Sequence, residues 1–280
     1  MSAGKNTEFY EAFYCEKGDC YTSSPDQTSP IELIGEEPLL IHFDEKPYSV
    51  VMRTPGEEIF HVAGLCLGEG IVDSVDDFKT IGYDPDLDPN IIDIWLTPER
   101  EKKIQHILNR KSYVSQTSCG ICGKKMIEDL DSVLTPAENG FTIDLNQIFE
   151  CLAMLSKTQN YYPRTRGSHA ALLFDDCLKM ISFAEDVGRH NALDKAIGKA
   201  LMENKLPSAN LLVLSSRISY ELVQKAARAH VSMIISKSRP TALAVKMGQA
   251  LNMTLACAFE QSKLIVLCGK DRITREQKID

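Results

Sequence analysis

Two cysteines separated by two residues are the clearest chemical signal in this chain. They are Cys119 and Cys122, in the stretch Thr117-Ser118-Cys119-Gly120-Ile121-Cys122-Gly123-Lys124-Lys125. A thiol reacts as the thiolate, and the lysines that follow supply a positive field that favours ionisation. The pattern therefore favours a reactive thiol. Half of a structural zinc site is the alternative, but the chain contains no second C-x-x-C and no cysteine with a histidine at zinc-finger spacing.

The composition is that of a water-soluble globular protein of one or two domains. The chain has 280 residues, of which 44% are hydrophobic and 25% charged, with a net charge of −8. No apolar run is long enough to span a membrane, and residues 1–20 show no secretory signal. We therefore expect a cytoplasmic protein with reduced cysteines and no membrane partner. The acidic balance argues against a nucleic-acid partner, although a local basic patch could still bind an anion.

Polar residues and prolines dominate residues 1–36, which we predict to be mostly flexible, with order starting near Pro38. Residues 37–135 are predicted to form a smaller N-terminal α+β subdomain that carries the C-x-x-C loop. Its first elements are a hairpin over Leu39–Arg53 and a helix that ends near Leu67.

The start of that helix is predicted from Thr54 as the N-cap, with a proline at the first helical position. Cys66 falls on the apolar stripe of the helix and is expected in the core. His61 lies off the stripe and is expected to be solvated or locally bonded.

Residues 136–280 show a regular alternation of short apolar runs and amphipathic segments, which predicts an α/β core. The segments are a helix over Leu145–Leu155, a hairpin about Asp175-Asp176, a helix over His190–Met202, strands at Leu211–Leu214, Met233–Ile235, Thr254–Ala258 and Leu264–Leu267, and helices at Ser219–Ala229 and Thr241–Leu251. Short, fully apolar strands between helices predict a largely parallel sheet covered by helices.

Three loops that follow these strands combine hydroxyl and basic side chains. They are Ser215-Ser216-Arg217, Ser236-Lys237-Ser238-Arg239 and the residues 258–263. Ligands of open α/β sheets bind at the carboxyl ends of the strands, and helix N-termini attract phosphate, so the three loops together predict an anion pocket. The alternative is that the hydroxyls only cap helices while the cations are solvated. Neither a P-loop nor a dinucleotide-binding glycine fingerprint is present.

A second candidate anion site is the segment Glu185-Asp186-Val187-Gly188-Arg189-His190-Asn191. If Gly188 makes a tight turn and Asn191 caps the next helix, Arg189 and His190 lie beside the helix N-terminus and can grip an anion. In the alternative, Asp186 pairs with Arg189 and only supports the turn.

Four stretches of the chain resemble the FdhD family, the formate dehydrogenase accessory sulfurtransferases. They are Thr117–Lys125, Glu185–Gly198, Ser215–Ala226 and Pro240–Val245, within a similarity that spans Glu37–Leu267. The resemblance implies a protein that takes sulfur from a cysteine desulfurase and passes it to the molybdenum (or tungsten) bis-guanine-dinucleotide cofactor, Mo-bis(molybdopterin guanine dinucleotide), before formate dehydrogenase receives it. It also implies a cytidine-deaminase-like layered α/β core and a homodimer.

The resemblance assigns roles to particular residues. Cys119 is the expected persulfide carrier and Cys122 its helper, and no permanently bound metal is expected. The cofactor contacts fall on Ala258, Phe259, Glu260, Gln261, Ser262 and Lys263. This stretch departs from the family pattern, which often begins with an aromatic residue, so Phe259 could take the aromatic role.

Two other functions are compatible with the residues alone. One is a non-catalytic chaperone that binds the molybdenum cofactor for formate dehydrogenase, with a structural or metal-binding C-x-x-C. The other is a thioredoxin-like dithiol oxidoreductase, which fits less well because no helix clearly starts at Cys119.

Overall fold

A computed structural model describes residues 6–13, 28–83, 88, 90–110, 134–138, 140–259 and 262–274. The strands are β1 (Thr7–Phe13), β2 (Thr28–Ile34), β3 (Glu37–Phe43), β4 (Lys46–Arg53), β5 (Phe78–Gly82), β6 (Ile91–Leu96), β7 (Ile143–Asp144), β8 (His169–Phe174), β9 (Met180–Asp186), β10 (Leu211–Leu214), β11 (Met233–Ser236), β12 (Thr254–Phe259), β13 (Lys263–Cys268) and β14 (Ile273–Thr274). The α-helices are α1 (Glu58–Gly68), α2 (Pro98–Arg110), α3 (Leu145–Thr158), α4 (Tyr162–Thr165), α5 (Arg189–Met202), α6 (Tyr220–Arg228) and α7 (Ala242–Ala250). Short 3-10 helices cover Val75–Asp77, Leu206–Ser208 and Lys270–Arg272.

A six-stranded mixed sheet in the order β13-β12-β11-β10-β8-β9 forms the centre of the fold. Only β10, β11 and β12 run parallel to one another, and β8, β9 and β13 pair antiparallel. The mixed α/β class is thus confirmed, whereas the expectation of a largely parallel sheet was wrong. Strands β9 and β13 are antiparallel to the strands that precede them in the chain. The turn between β8 and β9 and the connection from β12 to β13 are too short for the crossover that a parallel pair needs, so each pair forms a hairpin. The cytidine-deaminase-like layering stays a prediction.

Both faces of this sheet are covered, which explains why its inner strands are fully apolar. Alternate residues such as Leu212 and Ile234 join the core under α1, α5, α6 and α7. Their neighbours, such as Val213 and Ile235, pack against α3.

A smaller four-stranded sheet, in the order β4-β3-β6-β5, packs on the same core. The β3–β4 hairpin is confirmed, and its turn residues Asp44 and Glu45 both have positive φ. Helix α1 lies between this sheet and α5, and buried side chains from Leu39 in β3 to Leu255 in β12 belong to one cluster. The domain boundary between residues 135 and 136 stays a prediction, and described buried side chains from both sides of it belong to the same cluster.

The N-terminal segment is more ordered than the sequence predicted. Strands β1 and β2 pair antiparallel along their whole length, so order does not start near Pro38. Thr7–Phe13 contains β-prone aromatic residues, Phe9, Tyr10 and Phe13, but they do not alternate with polar residues, so the sequence shows no clear period. This β1–β2 ribbon contacts the rest of the chain through Glu32, whose carboxylate lies 2.6 Å from the guanidinium of Arg164.

Two predictions around α1 were wrong because the sequence pattern does not show the tertiary packing. Packing against distant segments decides where the Thr54 and His61 side chains lie. The helix begins at Glu58 after Glu57, whose φ is 61°, and Thr54 is not its cap. His61 is fully enclosed, and burial together with the nearby Lys195 lowers its pKa. Cys66 is buried as expected. None of the helices in the described ranges has the length and apolarity needed to cross a bilayer.

Candidate functional site

The predicted anion-binding loops meet at one edge of the six-stranded sheet. Strands β10, β11 and β12 are parallel and end at this edge. Because β8 is antiparallel to β10, and β9 to β8, the end of β9 reaches the same edge. Arg189 and His190 therefore lie on the same side of the molecule as the loops after β10, β11 and β12, which brings the two predicted anion sites to one edge. We call this the carboxyl edge.

The site residues form a row along this edge and do not form a single cluster. Four strand spacings of about 4.8 Å separate the end of β9 from the end of β12, or about 19 Å. Arg189 and His190 lie at one end of the row, Arg217 near its middle, and Phe259 with Lys263 at the other end. An extended ligand with several charged or aromatic groups fits such a row better than a compact one.

The predicted catalytic residues, Cys119 and Cys122, lie outside the described residues. The same is true of Glu260 and Gln261 in the predicted cofactor loop. Their roles stay predictions.

His190 is engaged by a carboxylate at the start of α6. Its Nε2 lies 2.8 Å from Oε2 of Glu221 and 3.5 Å from the hydroxyl of Ser219. The hydrogen bond from His190 lowers the pKa of Glu221, and the charge of Arg189 adds to the effect. The Nε2 of His190 is therefore already engaged by Glu221, a contact that the sequence did not predict.

Two arginines, one at this end of the row and one near its middle, remain available for an anion. The Nε of Arg189 is buried and has no hydrogen-bond partner among the described residues. Arg217 is exposed and makes no ion pair with any residue of the described ranges. Burial lowers the pKa of the neighbouring His169, and the charges of Arg189 and His190 lower it further.

Asp186 does not pair with Arg189, contrary to the alternative considered for this turn. It is fully buried and lies 2.7 Å from the ammonium group of Lys195, one helical turn and a half further along α5. Its carboxylate also accepts from the backbone N–H of Thr54 at 3.0 Å and of Gly188 at 2.8 Å. The acidic residue of this motif is thus part of the scaffold and does not reach a ligand.

Asn191 has a related structural role. It is not the N-cap of α5, as the sequence suggested, because Gly188 precedes the helix in that position. The side-chain amide of Asn191 donates to the carbonyl of Met52 at 2.7 Å and to Asp186 at 2.9 Å. A Cβ on Gly188 would lie 2.7 Å from this amide, so the close approach requires glycine here. The hydrogen bonds hold the start of α5, and with it Arg189, against the end of β4.

The serines and threonines of the loops are used internally, as the alternative interpretation held. The Ser215 hydroxyl accepts from the backbone N–H of Ala170 at 2.8 Å, and the Ser236 hydroxyl donates to the Ser216 carbonyl. Thr241 caps α7. These three hydroxyls therefore shape the loops and are not directed at a ligand.

At the far end of the row, Phe259 and Arg239 form a cation–π pair. The guanidinium carbon of Arg239 lies 5.8 Å from the ring centroid of Phe259, which is 39% exposed. Ala258 beside it is half-buried, and Ser262 and Lys263 are exposed. A cavity of about 530 Å³ opens here, lined by Leu145, Phe259, Ser262, Lys263, Leu264, Ile265, Val266, Lys270 and Ile273.

The carboxyl edge is positively charged although the protein as a whole is acidic. The described loops at this edge contribute five cations, Arg189, Arg217, Lys237, Arg239 and Lys263, against the single exposed carboxylate of Glu221, in a chain of net charge −8. Clustered cations at strand and helix ends attract phosphate. The edge is therefore suited to an extended anionic ligand that carries an aromatic group.

Comparisons with known proteins agree on one family. The model of the FdhD/NarQ family matches residues 34–274. A protein of Streptomyces coelicolor named "Sulfur carrier protein FdhD" is 35% identical over 259 residues, which cover 88% of this chain and 90% of that protein. Relatives of the same name in Mycobacterium tuberculosis and Sulfurisphaera tokodaii are 34% and 30% identical and cover 88% and 85% of this chain and 93% and 90% of their own.

The fold also has a solved counterpart. A crystal structure of a candidate formate dehydrogenase accessory protein from Desulfotalea psychrophila superposes with a TM-score of 0.75 at 18% sequence identity. It covers 96% of this chain and 100% of that one.

Proposed function

The chain belongs to the FdhD/NarQ family, and on that premise we propose that it is a sulfur carrier in formate dehydrogenase maturation, a sulfurtransferase that works through a cysteine persulfide. The sulfur comes from a cysteine desulfurase. The acceptor is the molybdenum or tungsten bis-guanine-dinucleotide cofactor, which the protein binds as a substrate and releases to formate dehydrogenase.

The positive carboxyl edge is the observation that supports this proposal most directly. A bis-dinucleotide carries several phosphates and two purine bases along an extended molecule. The row of Arg189, Arg217 and Lys263 matches the phosphates in charge and extent, and Phe259 offers an aromatic face for a base. The serine-rich turns between them are held by their own hydrogen bonds, so the cations are presented on a rigid frame.

The chemistry proposed for the cysteines is a pair of exchanges at sulfur. The Cys119 thiolate attacks the terminal sulfur of the desulfurase persulfide, a new S–S bond forms, and the desulfurase cysteine leaves as a thiolate. In the second step the Cys122 thiolate attacks the Sγ of Cys119, so that a disulfide forms and sulfide leaves toward the metal. A thiol reductant then restores both thiols. The lysines that follow Cys122 in the sequence favour the thiolate in both steps.

The test is mass spectrometry of the full-length protein after incubation with a cysteine desulfurase and free cysteine. We expect an added mass of one sulfur atom on the peptide with Cys119, absent in Cys119→Ala and present in Cys122→Ala. Cys177→Ala serves as a control, because Cys177 is exposed and its neighbour Asp176 raises the pKa of its thiol. Labelling that persists in Cys119→Ala would refute the assignment.

Cofactor delivery separates a carrier from a non-catalytic chaperone. We expect the double variant Cys119→Ala/Cys122→Ala to bind the cofactor but to leave formate dehydrogenase inactive. Full dehydrogenase activity with the double variant would instead support the chaperone. A homodimer and cytoplasmic location are parts of the proposal that size-exclusion chromatography with light scattering and cell fractionation can check.

A further inference from the structure

Arg239 and Phe259 place two different recognition elements side by side at one end of the carboxyl edge. Arg239 follows β11, Phe259 is the last residue of the neighbouring parallel strand β12, and the guanidinium carbon lies 5.8 Å from the ring centroid. Both side chains are exposed, so neither is needed to fill the core. No described carboxylate lies within ion-pair distance of Arg239.

The guanidinium also lies near a buried thiol of β12. Burial raises the pKa of the Cys257 thiol, and the charge of Arg239 opposes that rise. Cys257 is fully buried in β12, two residues before Phe259, and the contact with the Phe259 ring places the guanidinium at the end of that strand. Phe259 also lines the cavity that Ser262 and Lys263 border.

Aromatic side chains and arginine contribute differently to the binding of a base. Every base has a π-face, so stacking on an exposed aromatic ring strengthens binding without choosing a base. An arginine has five N–H donors and no acceptor. It can donate two hydrogen bonds to guanine, whose O6 and N7 are both acceptors, whereas adenine presents one acceptor and the N6 donor at the corresponding edge.

We propose that Arg239 makes this end of the carboxyl edge selective for guanine over adenine, while Phe259 supplies the stacking surface. A purine takes the face of Phe259 that the guanidinium now covers, and the guanidinium moves to the O6/N7 edge of the base. An exposed arginine without an ion-pair partner among the described residues can make this movement at low cost. The inference rests on the proposed function, in which this edge binds a nucleotide part of the cofactor.

The experiment is isothermal titration calorimetry of the full-length protein with GDP and with ADP. We expect the wild type to prefer GDP by about tenfold or more, as one bidentate contact provides. In Arg239→Ala the GDP affinity should fall by about tenfold to near that of ADP, with the ADP affinity nearly unchanged. Arg239→Lys should lose most of the preference as well, since lysine keeps the charge but lacks the planar pair of donors.

Phe259→Ala should weaken GDP and ADP equally, because stacking does not distinguish them. Lys205→Ala, an exposed cation that pairs only with Glu203 among the described side chains, should leave both affinities unchanged. If Arg239→Ala retains the wild-type ratio of GDP to ADP affinity, or weakens both nucleotides equally, the selectivity role is wrong while nucleotide binding by this edge stands. If the wild type binds neither nucleotide, the nucleotide-binding part of the proposed function fails, and this inference fails with it.

Discussion

Lys195 is an almost fully enclosed cation whose contacts hold the start of α5 in place. Its ammonium group pairs with the buried Asp186 and donates to the carbonyl of Thr54, each at 2.7 Å. A buried charge is tolerated only when it is paired and hydrogen-bonded. Arg189 is presented at the carboxyl edge because this buried pair fixes the turn before it.

Removing the cation should be costly, because Asp186 would keep a buried charge without its counter-ion. We expect Lys195→Met to lower the free energy of unfolding by about 3–5 kcal/mol. Chemical denaturation followed by far-UV circular dichroism measures it. The matched control is Lys199→Met in the same helix, whose partner Glu57 is 3.3 Å away at the surface and which should cost less than about 1 kcal/mol. Equal losses in the two variants would contradict the role given to the buried pair.

Asp73 connects distant segments at the surface. It pairs with Arg100 of α2 and, at 2.7 Å, with Arg228 of α6. Partial burial raises the pKa of Asp73, but the hydrogen bonds from Arg228 and Arg100 outweigh this and leave the pKa below its usual value. Its carboxylate is therefore more acidic in the folded chain than in the unfolded chain.

A carboxyl group whose pKa is lowered by folding stabilises the fold at pH values above the ordinary aspartate pKa. This contribution is lost as the pH falls through the lowered pKa of the folded state. We expect Asp73→Asn to cost about 1 kcal/mol or less at neutral pH, and the difference from the wild type to shrink toward zero in acid. Thermal unfolding across a pH series measures this. Asp76→Asn, an exposed neighbour, controls for the general loss of a negative charge. A difference that stays constant in acid would argue against the ion pairs.

At the scale of elements, α1 and α5 cross so closely that only glycine fits at the contact. A Cβ on Gly64 would lie 1.9 Å from the carbonyl oxygen of Asp194, and one on Gly198 would lie 1.8 Å from that of Phe60. Both neighbours are helix backbone, which cannot move aside locally. The two helices therefore bring the N-terminal sheet and the six-stranded sheet onto one core.

Alanine normally stabilises an exposed helix by about 1 kcal/mol relative to glycine, but here the sign should reverse. We expect Gly64→Ala and Gly198→Ala each to destabilise the protein by about 3 kcal/mol, since the helices must separate. Urea denaturation measures the loss. For comparison, a Cβ on Gly82 would meet no atom within 4 Å, so Gly82→Ala should change stability by only about 0.5 kcal/mol. Stabilisation by either helical alanine would disprove the close crossing.

At the scale of the whole molecule, the segments before and after residue 136 share buried contacts and should unfold together. The single tryptophan, Trp95, lies in β6 and reports on the N-terminal sheet. We expect its fluorescence and the far-UV circular dichroism signal to change in one coincident transition in guanidinium chloride. A fragment of residues 136–280 should not unfold cooperatively, because Phe60, against which Gly198 packs, and the Thr54 carbonyl that accepts from Lys195 are missing.

A fragment of residues 35–280 is the matched control for that experiment. It lacks residues 1–34 with the β1–β2 ribbon, whose described contacts include those of β2 with α4 and of Ile34 with Gly167. We expect this fragment to keep the cooperative transition. Two separate transitions in the full-length protein would show that residues 37–135 and 136–280 are independent domains.

The amino-acid sequence by itself determined the elements and the family. Periodicity identified the β3–β4 hairpin and the alternation from α3 to β13, because local patterns of apolar residues reflect which faces are buried. The motif around Arg189 and the C-x-x-C at Cys119 indicated the FdhD family, and the comparisons confirmed it. Such signals lie in short stretches of sequence, so they can be read without knowing the fold.

Only the tertiary structure decided what each polar side chain of those motifs contacts. Asp186 pairs with Lys195, His190 with Glu221, and Thr54 supports the turn instead of capping α1. The His190–Glu221 pair and the hydrogen bond from Val187 to Thr54 each join residues more than 25 positions apart in the chain. Sequence patterns describe neighbours within one element, whereas the partner of a charge depends on which elements pack together. The pairing of Arg239 with Phe259 at adjoining strand ends has the same origin.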